Sequence, residues 1–324
     1  MTLADILASL RVVSLPLNTR FRGVEHRELA LIEGPYGWGE FGPFLEYEPP
    51  EAARWLASAI EAATLGFPEP VRGEVPVNAT VPAVAPDRVA QVLARYDGCT
   101  TAKVKVAERG QALGDDLDRV AAVRAAMGAG GRVRIDANGA WTVDDALAAI
   151  RALSPYDLEY VEQPCATVEE LAELRTALAR NGIDVLIAAD ESIRKADDPM
   201  RVKALGAADV AVVKVAPLGG VRAALAVAEQ IDLPVVVSSA LDSSVGMSAG
   251  VAFAAALPRL PFACGLGTIE LFDGDVVSTS LVPRAGLLRP GQVTPDPQLL
   301  ERWAAPADRV AWWRERVARA SAYL

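Results

Sequence analysis

At 324 residues the chain is long enough for two domains, or for one large α/β barrel carrying an appendage. Hydrophobic residues make up 52% and charged residues 23%, which excludes a disordered chain and permits a large core. Lys and Arg number 32 against 42 Asp and Glu, a formal charge of −10, so the basic footprint that nucleic acid or an anionic membrane selects is not expected.

In chain order, residues 12–17 and 28–33 read as short antiparallel strands and 51–63 as a helix, bounded by Pro49-Pro50 and Gly66. They predict a small α+β unit over residues 1–75. Within it, Gly37-Trp-Gly39-Glu-Phe-Gly42 matches the dinucleotide fingerprint in letters only. Pro43 follows where a helix would have to start, so the segment reads as strand and turn.

From Val75 the texture becomes rhythmic. Strands are expected at 77–81, 102–106, 132–136, 159–162, 185–190, 210–215, 235–239 and 262–265. Helices are expected between them at 87–96, 113–127, 143–153, 168–181, 199–205, 221–230 and 244–256. Eight buried-type strands separated by helices predict an α/β fold of TIM-barrel type over residues 76–270, with an open doubly wound sheet as the alternative. Beyond it, a segment over 271–324 carries a last helix at 307–320 that is expected to pack back on the first unit.

Local features remove further classes. The apolar run 245–257 is too short, and too broken by Ser and Gly, to span a bilayer. The first eleven residues lack a basic start and carry Asp5, unlike a signal peptide, so the cytoplasm is the expected compartment. Cys99, Cys165 and Cys264 form no CxxC pair, so neither a disulfide framework nor a thiolate zinc site is expected. His26 is the single histidine and has no nucleophile motif around it. Chemistry is therefore expected from carboxylates and lysines.

The C-terminal strand ends are where a barrel carries its site. Read in order they give Lys103-Val-Lys105, Asp136-Ala-Asn138, Glu162-Gln-Pro, Asp190-Glu191-Ser, Lys214 and Ser238-Ser239, each about one βα repeat from the next. Asp136, Glu162 and Asp190 cannot all stay ionised at a dry barrel mouth without a compensating cation. Oxygen ligation without His or Cys selects a hard ion, Mg²⁺ or Mn²⁺. Lys103 and Lys105 would flank it on one side and Lys214 on the other, where a nearby cation lowers the pKa of an ammonium so that the neutral amine can serve as a base.

As a set these motifs resemble the enolase superfamily, in its muconate-lactonizing subgroup, over nearly the whole chain. The resemblance implies a modified (β/α)7β barrel with an N-terminal α+β capping domain completed by the C-terminal segment. It also implies Mg²⁺ held by Asp136, Glu162 and Asp190, with Asn138 and Glu191 orienting these ligands and the lysines. The short cap, Gly34-Pro-Tyr-Gly-Trp-Gly and Ser238-Ser-Ala-Leu-Asp-Ser-Ser narrow the resemblance to a dehydratase of menaquinone biosynthesis. Its substrate would be a small carboxylate, a succinyl-hydroxycyclohexadiene carboxylate, dehydrated with syn geometry through an enediolate. Lys105 would act as base and then acid, with Lys103 adding positive charge and Lys214 stabilising the intermediate. Ser238, Ser239, Gly265 and Arg22 are the expected substrate contacts. An N-acylamino acid racemase or dipeptide epimerase, with Lys105 and Lys214 as opposed bases, is the alternative, and the oligomeric state is left open.

Overall fold

The computed structural model describes residues 1–21, 24–194 and 198–324. It opens with helix α1 (Leu3–Ser9), where Thr2 and Asp5 satisfy one another's backbone N–H groups. Strands β1 (Arg11–Phe21), β2 (Val24–Gly34) and β3 (Gly37–Phe41) follow as an antiparallel sheet. Helix α2 (Pro49–Leu65) covers that sheet, started by Pro49 and Pro50 and stopped at Gly66 with φ 63°. Gly39 permits the close approach, since a Cβ there would collide with the Ala59 carbonyl. The glycine-rich segment is strand and turn, with the next helix starting at Pro49. His26 is exposed on β2, opposite Pro16.

After β4 (Val75–Pro76), a parallel sheet is built from β5 (Ala79–Val81), β6 (Thr101–Lys105), β7 (Arg132–Asp136), β8 (Leu158–Glu162), β9 (Ile187–Ala189), β10 (Val210–Val213) and β11 (Val235–Val237). Its strand order is sequential from β5 to β11. The intervening helices are α3 (Val89–Leu93), α4 (Leu113–Met127), α5 (Val143–Leu153), α6 (Val168–Arg180), α7 (Asp198–Leu205), α8 (Val215–Leu218), α9 (Val221–Ile231) and α10 (Ser244–Ala256). Of these α4, α5 and α10 have the bounds expected from the sequence. Helix α6 starts on a Thr167–Glu170 capping box, a local signal that fixes its first turn.

Two expected elements differ. The expected strand at 77–81 is shorter, since only Ala79–Val81 joins the parallel sheet, while β4 just before it pairs antiparallel with β12 (Leu287–Leu288). The expected eighth strand at 262–265 is no ladder but two isolated bridges, Cys264 to Val77 and Gly265 to Ser238. Those bridges join the two edges of the seven-stranded sheet and close the barrel. Pro261 before them, and Gly265 and Gly267 within and after them, leave too few regular residues for a longer strand.

The barrel interior is a small apolar plug of Tyr160, Ala188, Val210, Val212 and Val236, with Phe262 against it. A larger core lies between strands and outer helices. The cap has its own core, to which the barrel lends Ala240, Leu241 and Val245. After α11 (Pro297–Arg302), helix α12 (Ala307–Ser321) adds Trp313, Val317 and Ala320 to that core and packs on α2 and β1.

Candidate active site

A parallel strand that ends at the barrel mouth sends alternate side chains inward, so its last residue and the one two before it face the same interior. Lys105, Asp136 and Glu162 are the final residues of β6, β7 and β8, and register pairs Lys105 with Asp136 and Asp136 with Glu162. Asp190 and Lys214 stand one residue beyond β9 and β10. Strands β6 and β10 are four places apart in the sheet, so Lys105 and Lys214 approach from opposite sides of the mouth.

The side chains meet as ion pairs. Lys103 Nζ lies 2.7 Å from Glu162 Oε1 and 3.4 Å from Asp136 Oδ2. Lys105 donates to Asp136, and to Asn138 Oδ1 at 2.7 Å. Lys214 donates to Asp190. Asn138 in turn donates to Glu191 at 3.2 Å. All three acids are buried, as are Lys103 and Lys214.

Burial, with the charges of Asp136 and Asp190, pushes the Glu162 carboxyl up to about 7, against the pull of Lys103. Burial alone would also raise Asp136, but Lys105 and Lys103 outweigh it and hold that carboxyl low. Asp190 is held low against its burial by Arg194 and Lys214. Burial brings the Lys214 ammonium down to about 8, although Asp190 favours its charged form.

Among the described residues, no three His, Cys, Asp or Glu side chains converge closely enough to hold an ion as they stand, and ammonium groups lie between the carboxylates. The donor chemistry nevertheless fits a hard divalent cation. Three buried carboxylates lie on consecutive strands without nitrogen or sulfur among them, and burial and the neighbouring carboxylates push Glu162 up, a cost that a bound cation would offset.

The mouth is a narrow cleft of about 40 Å³ between the strand ends and the cap, which contributes Phe44. Ser238, Ser239 and Gly265 line it. The Ser239 hydroxyl bonds to the Gly265 carbonyl at 3.0 Å and to Thr268 at 2.7 Å. Gly265 N–H donates to Val237 O at 2.7 Å, so this position differs from the expected substrate donor. What it offers is space: a Cβ there would come within 2.8 Å of Ser238 Oγ. Arg22 lies outside the described residues.

Two residues at the site, Arg194 and Gln163, were given no role of their own by the sequence. Arg194 reaches Asp190 at 3.1 Å, Glu191 at 2.7 Å and Tyr47 of the cap at 3.4 Å. Gln163, with φ 39°, ties Asp190 N at 2.9 Å and the Ser192 hydroxyl at 2.9 Å to the end of β8. An Arg four residues past an acid, or a Gln before a Pro, is too common a pattern to single out.

Residues 12–63 match a family model described as Enolase N-terminal domain-like, and residues 87–295 one described as Enolase C-terminal domain-like. The chain belongs to the enolase superfamily. A protein of Mycobacterium ulcerans named o-succinylbenzoate synthase is 59% identical over 98% of this chain and 94% of its own length. One of Thermobifida fusca with the same name is 57% identical over 96% of each chain. Among solved structures, a muconate lactonizing enzyme from Pseudomonas fluorescens superposes with a TM-score of 0.79 at 23% identity, over 92% of this chain and 98% of that one. It shares the fold.

Proposed function

We infer that the chain is an o-succinylbenzoate synthase, a lyase that dehydrates 2-succinyl-6-hydroxy-2,4-cyclohexadiene-1-carboxylate to 2-succinylbenzoate. The reading is carried by two amines, Lys105 and Lys214, facing each other across Asp136, Glu162 and Asp190 in a chain 56–59% identical over nearly its full length to proteins of that name.

Asp136, Glu162 and Asp190 would hold the Mg²⁺, or Mn²⁺. When bound, the ion supplies positive charge beside the substrate carboxylate and so lowers the cost of removing the adjacent proton. Lys105 Nζ takes that proton. Hydrogen bonds to Asn138 and Asp136 hold this amine, and the resulting ammonium returns the proton to the departing hydroxyl on the same face, which sets the syn geometry. Lys103 adds a fixed charge on that side. Lys214, from the opposite face, stabilises the negative charge that develops on the substrate. Ser238, Ser239 and the space left by Gly265 receive the succinyl arm. Phe44 and Leu241 keep water from the reacting atoms.

The test is an assay of the purified chain with Mg²⁺ on the cyclohexadiene substrate, beside deuterium exchange at the α-carbon of an N-succinyl amino acid. Aromatic product with kcat/KM well above any exchange rate supports the reading. Strong exchange with negligible dehydration replaces it with a racemase.

A further inference from the structure

A charged guanidinium lies inside the barrel, one layer beneath the acids. Arg134 precedes Asp136 by two residues on β7, as Tyr160 precedes Glu162 on β8, so all four side chains turn inward. Their neighbours there are Ala188, Val210, Val212 and Val236, and an apolar residue at 134 would fill the space without the desolvation cost of a charge. Arg134 is instead fully buried. It donates to Glu159 at 2.6 Å, to the Ala263 carbonyl at 2.8 Å, to Asn78 at 3.2 Å and to the Tyr160 hydroxyl at 3.0 Å.

The contact with Tyr160 has a direction. Arginine has donors and no acceptor, so the Tyr160 oxygen must accept and its one proton is released for another partner. The acceptor within reach is Glu162 Oε2, 3.5 Å away. The other oxygen, Oε1, receives Lys103 at 2.7 Å. Tyr160 is itself held edge-on to Phe262 at 5.9 Å, with the Arg134 guanidinium 4.6 Å over its ring, which leaves the hydroxyl little freedom to turn away.

We propose that Arg134 and Tyr160 are positioning residues for Glu162: Arg134 directs the Tyr160 proton onto Oε2, fixes the roll of the carboxylate, and leaves the second lone pair of Oε1, beside the one Lys103 takes, as the position offered to the divalent cation. This rests on the reading of Glu162 as a metal ligand. Partners of this kind typically change metal affinity by about 10–100-fold when removed.

The probe is Mn²⁺ alone, with free Mn²⁺ measured by electron paramagnetic resonance against the full chain. Tyr160→Phe removes only the hydroxyl and keeps the ring contacts. It is expected to raise the Mn²⁺ Kd about tenfold or more, with circular dichroism and the unfolding midpoint close to wild type. Arg134→Gln keeps Tyr160 but supplies a side chain that can accept its proton, and is expected to weaken Mn²⁺ in the same direction. A folded Tyr160→Phe chain binding Mn²⁺ within about twofold of wild type overturns the proposal. If that variant does not fold, the same result for Arg134→Gln overturns it. Glu162→Gln separates the two levels. Its loss of Mn²⁺ binding beside an unaffected Tyr160→Phe removes the positioning role alone, whereas wild-type binding by Glu162→Gln removes the metal reading and the proposal with it.

Discussion

Lys103 on β6 reaches past the intervening strand β7 to lie 2.7 Å from Glu162 on β8, with Asp136 of β7 3.4 Å from the same ammonium. One cation therefore serves two acids in a region closed to water. Removing one partner of such a buried set leaves uncompensated charge, at a cost of about 3–5 kcal/mol when the rest cannot relax. Lys103→Met should lower the metal-free unfolding free energy by about 3 kcal/mol, toward the low end because Glu162 can take up a proton. A saturating divalent cation should recover part of the loss. At 100 times its Kd a ligand specific to the folded state adds about 2.7 kcal/mol. Urea titrations with and without Mg²⁺ measure both quantities, and equal midpoints for the variant in the two conditions would count against the site.

Lys105→Ala tests the chemistry. Loss of a positioned base and acid lowers turnover by about 10²–10⁴-fold, and here the same amine performs both tasks, so the upper part of that range is expected. Its side chain is only partly buried, so the fold should survive. Turnover followed by the absorbance of the aromatic product gives the rate. A variant within tenfold of wild type would exclude Lys105 as the base.

Glu40 joins cap to barrel. From β3 it accepts the backbone N–H of Ser243 at 3.2 Å and of Gly246 at 3.4 Å, capping α10 from another part of the chain. Burial, then the charge of Asp242, pushes its carboxyl up to about 8 from an ordinary 4.5, against Ser243 and Arg27. The folded state thus retains a proton that the unfolded chain releases. The stability it contributes is complete below about pH 4.5 and disappears as pH rises through about 8. Glu40→Gln cannot ionise, so its unfolding midpoint should fall less than wild type between pH 5 and 9 and exceed wild type at the alkaline end. Thermal melts across that range decide the matter; parallel curves would mean Glu40 does not titrate there.

Trp313 anchors the C-terminal helix. It is fully buried, stands edge-on to Phe41 at 5.7 Å, and donates its indole N–H to Glu28 at 2.8 Å. Trp313→Ala should cost about 3–5 kcal/mol. A denaturation midpoint unchanged from wild type would show that α12 adds little to the cap.

The bounds of α4, α5 and α10 were legible to the residue, because start and stop signals and the apolar pattern act within a few positions of one another; α10 is apolar on nearly every side, so its signal was an apolar run. The seven parallel strands were visible as short β-branched runs. The closing segment at 262–265 was read as a strand too, but its reduction to two bridges, to Val77 and Ser238, was not legible, because nothing local distinguishes a bridge from a strand. The acids and lysines could be found because a parallel barrel brings its strand ends to one place, so reading those ends reads the site. Arg194 and Tyr160 carry no such signal, and Gln163 lies in the Glu162-Gln-Pro motif without a role of its own there; each is defined by what it touches.

The sequence alone determined which groups stand at the strand ends and how far apart in the chain they lie, since strand periodicity depends on neighbours. Only the tertiary structure decided that Lys103 reaches Glu162 as well as the adjacent Asp136, that Glu40 caps a barrel helix, and that Arg134 sits beneath Tyr160. Those pairings join residues tens to hundreds of positions apart, and burial and charge select among them only after the barrel has closed.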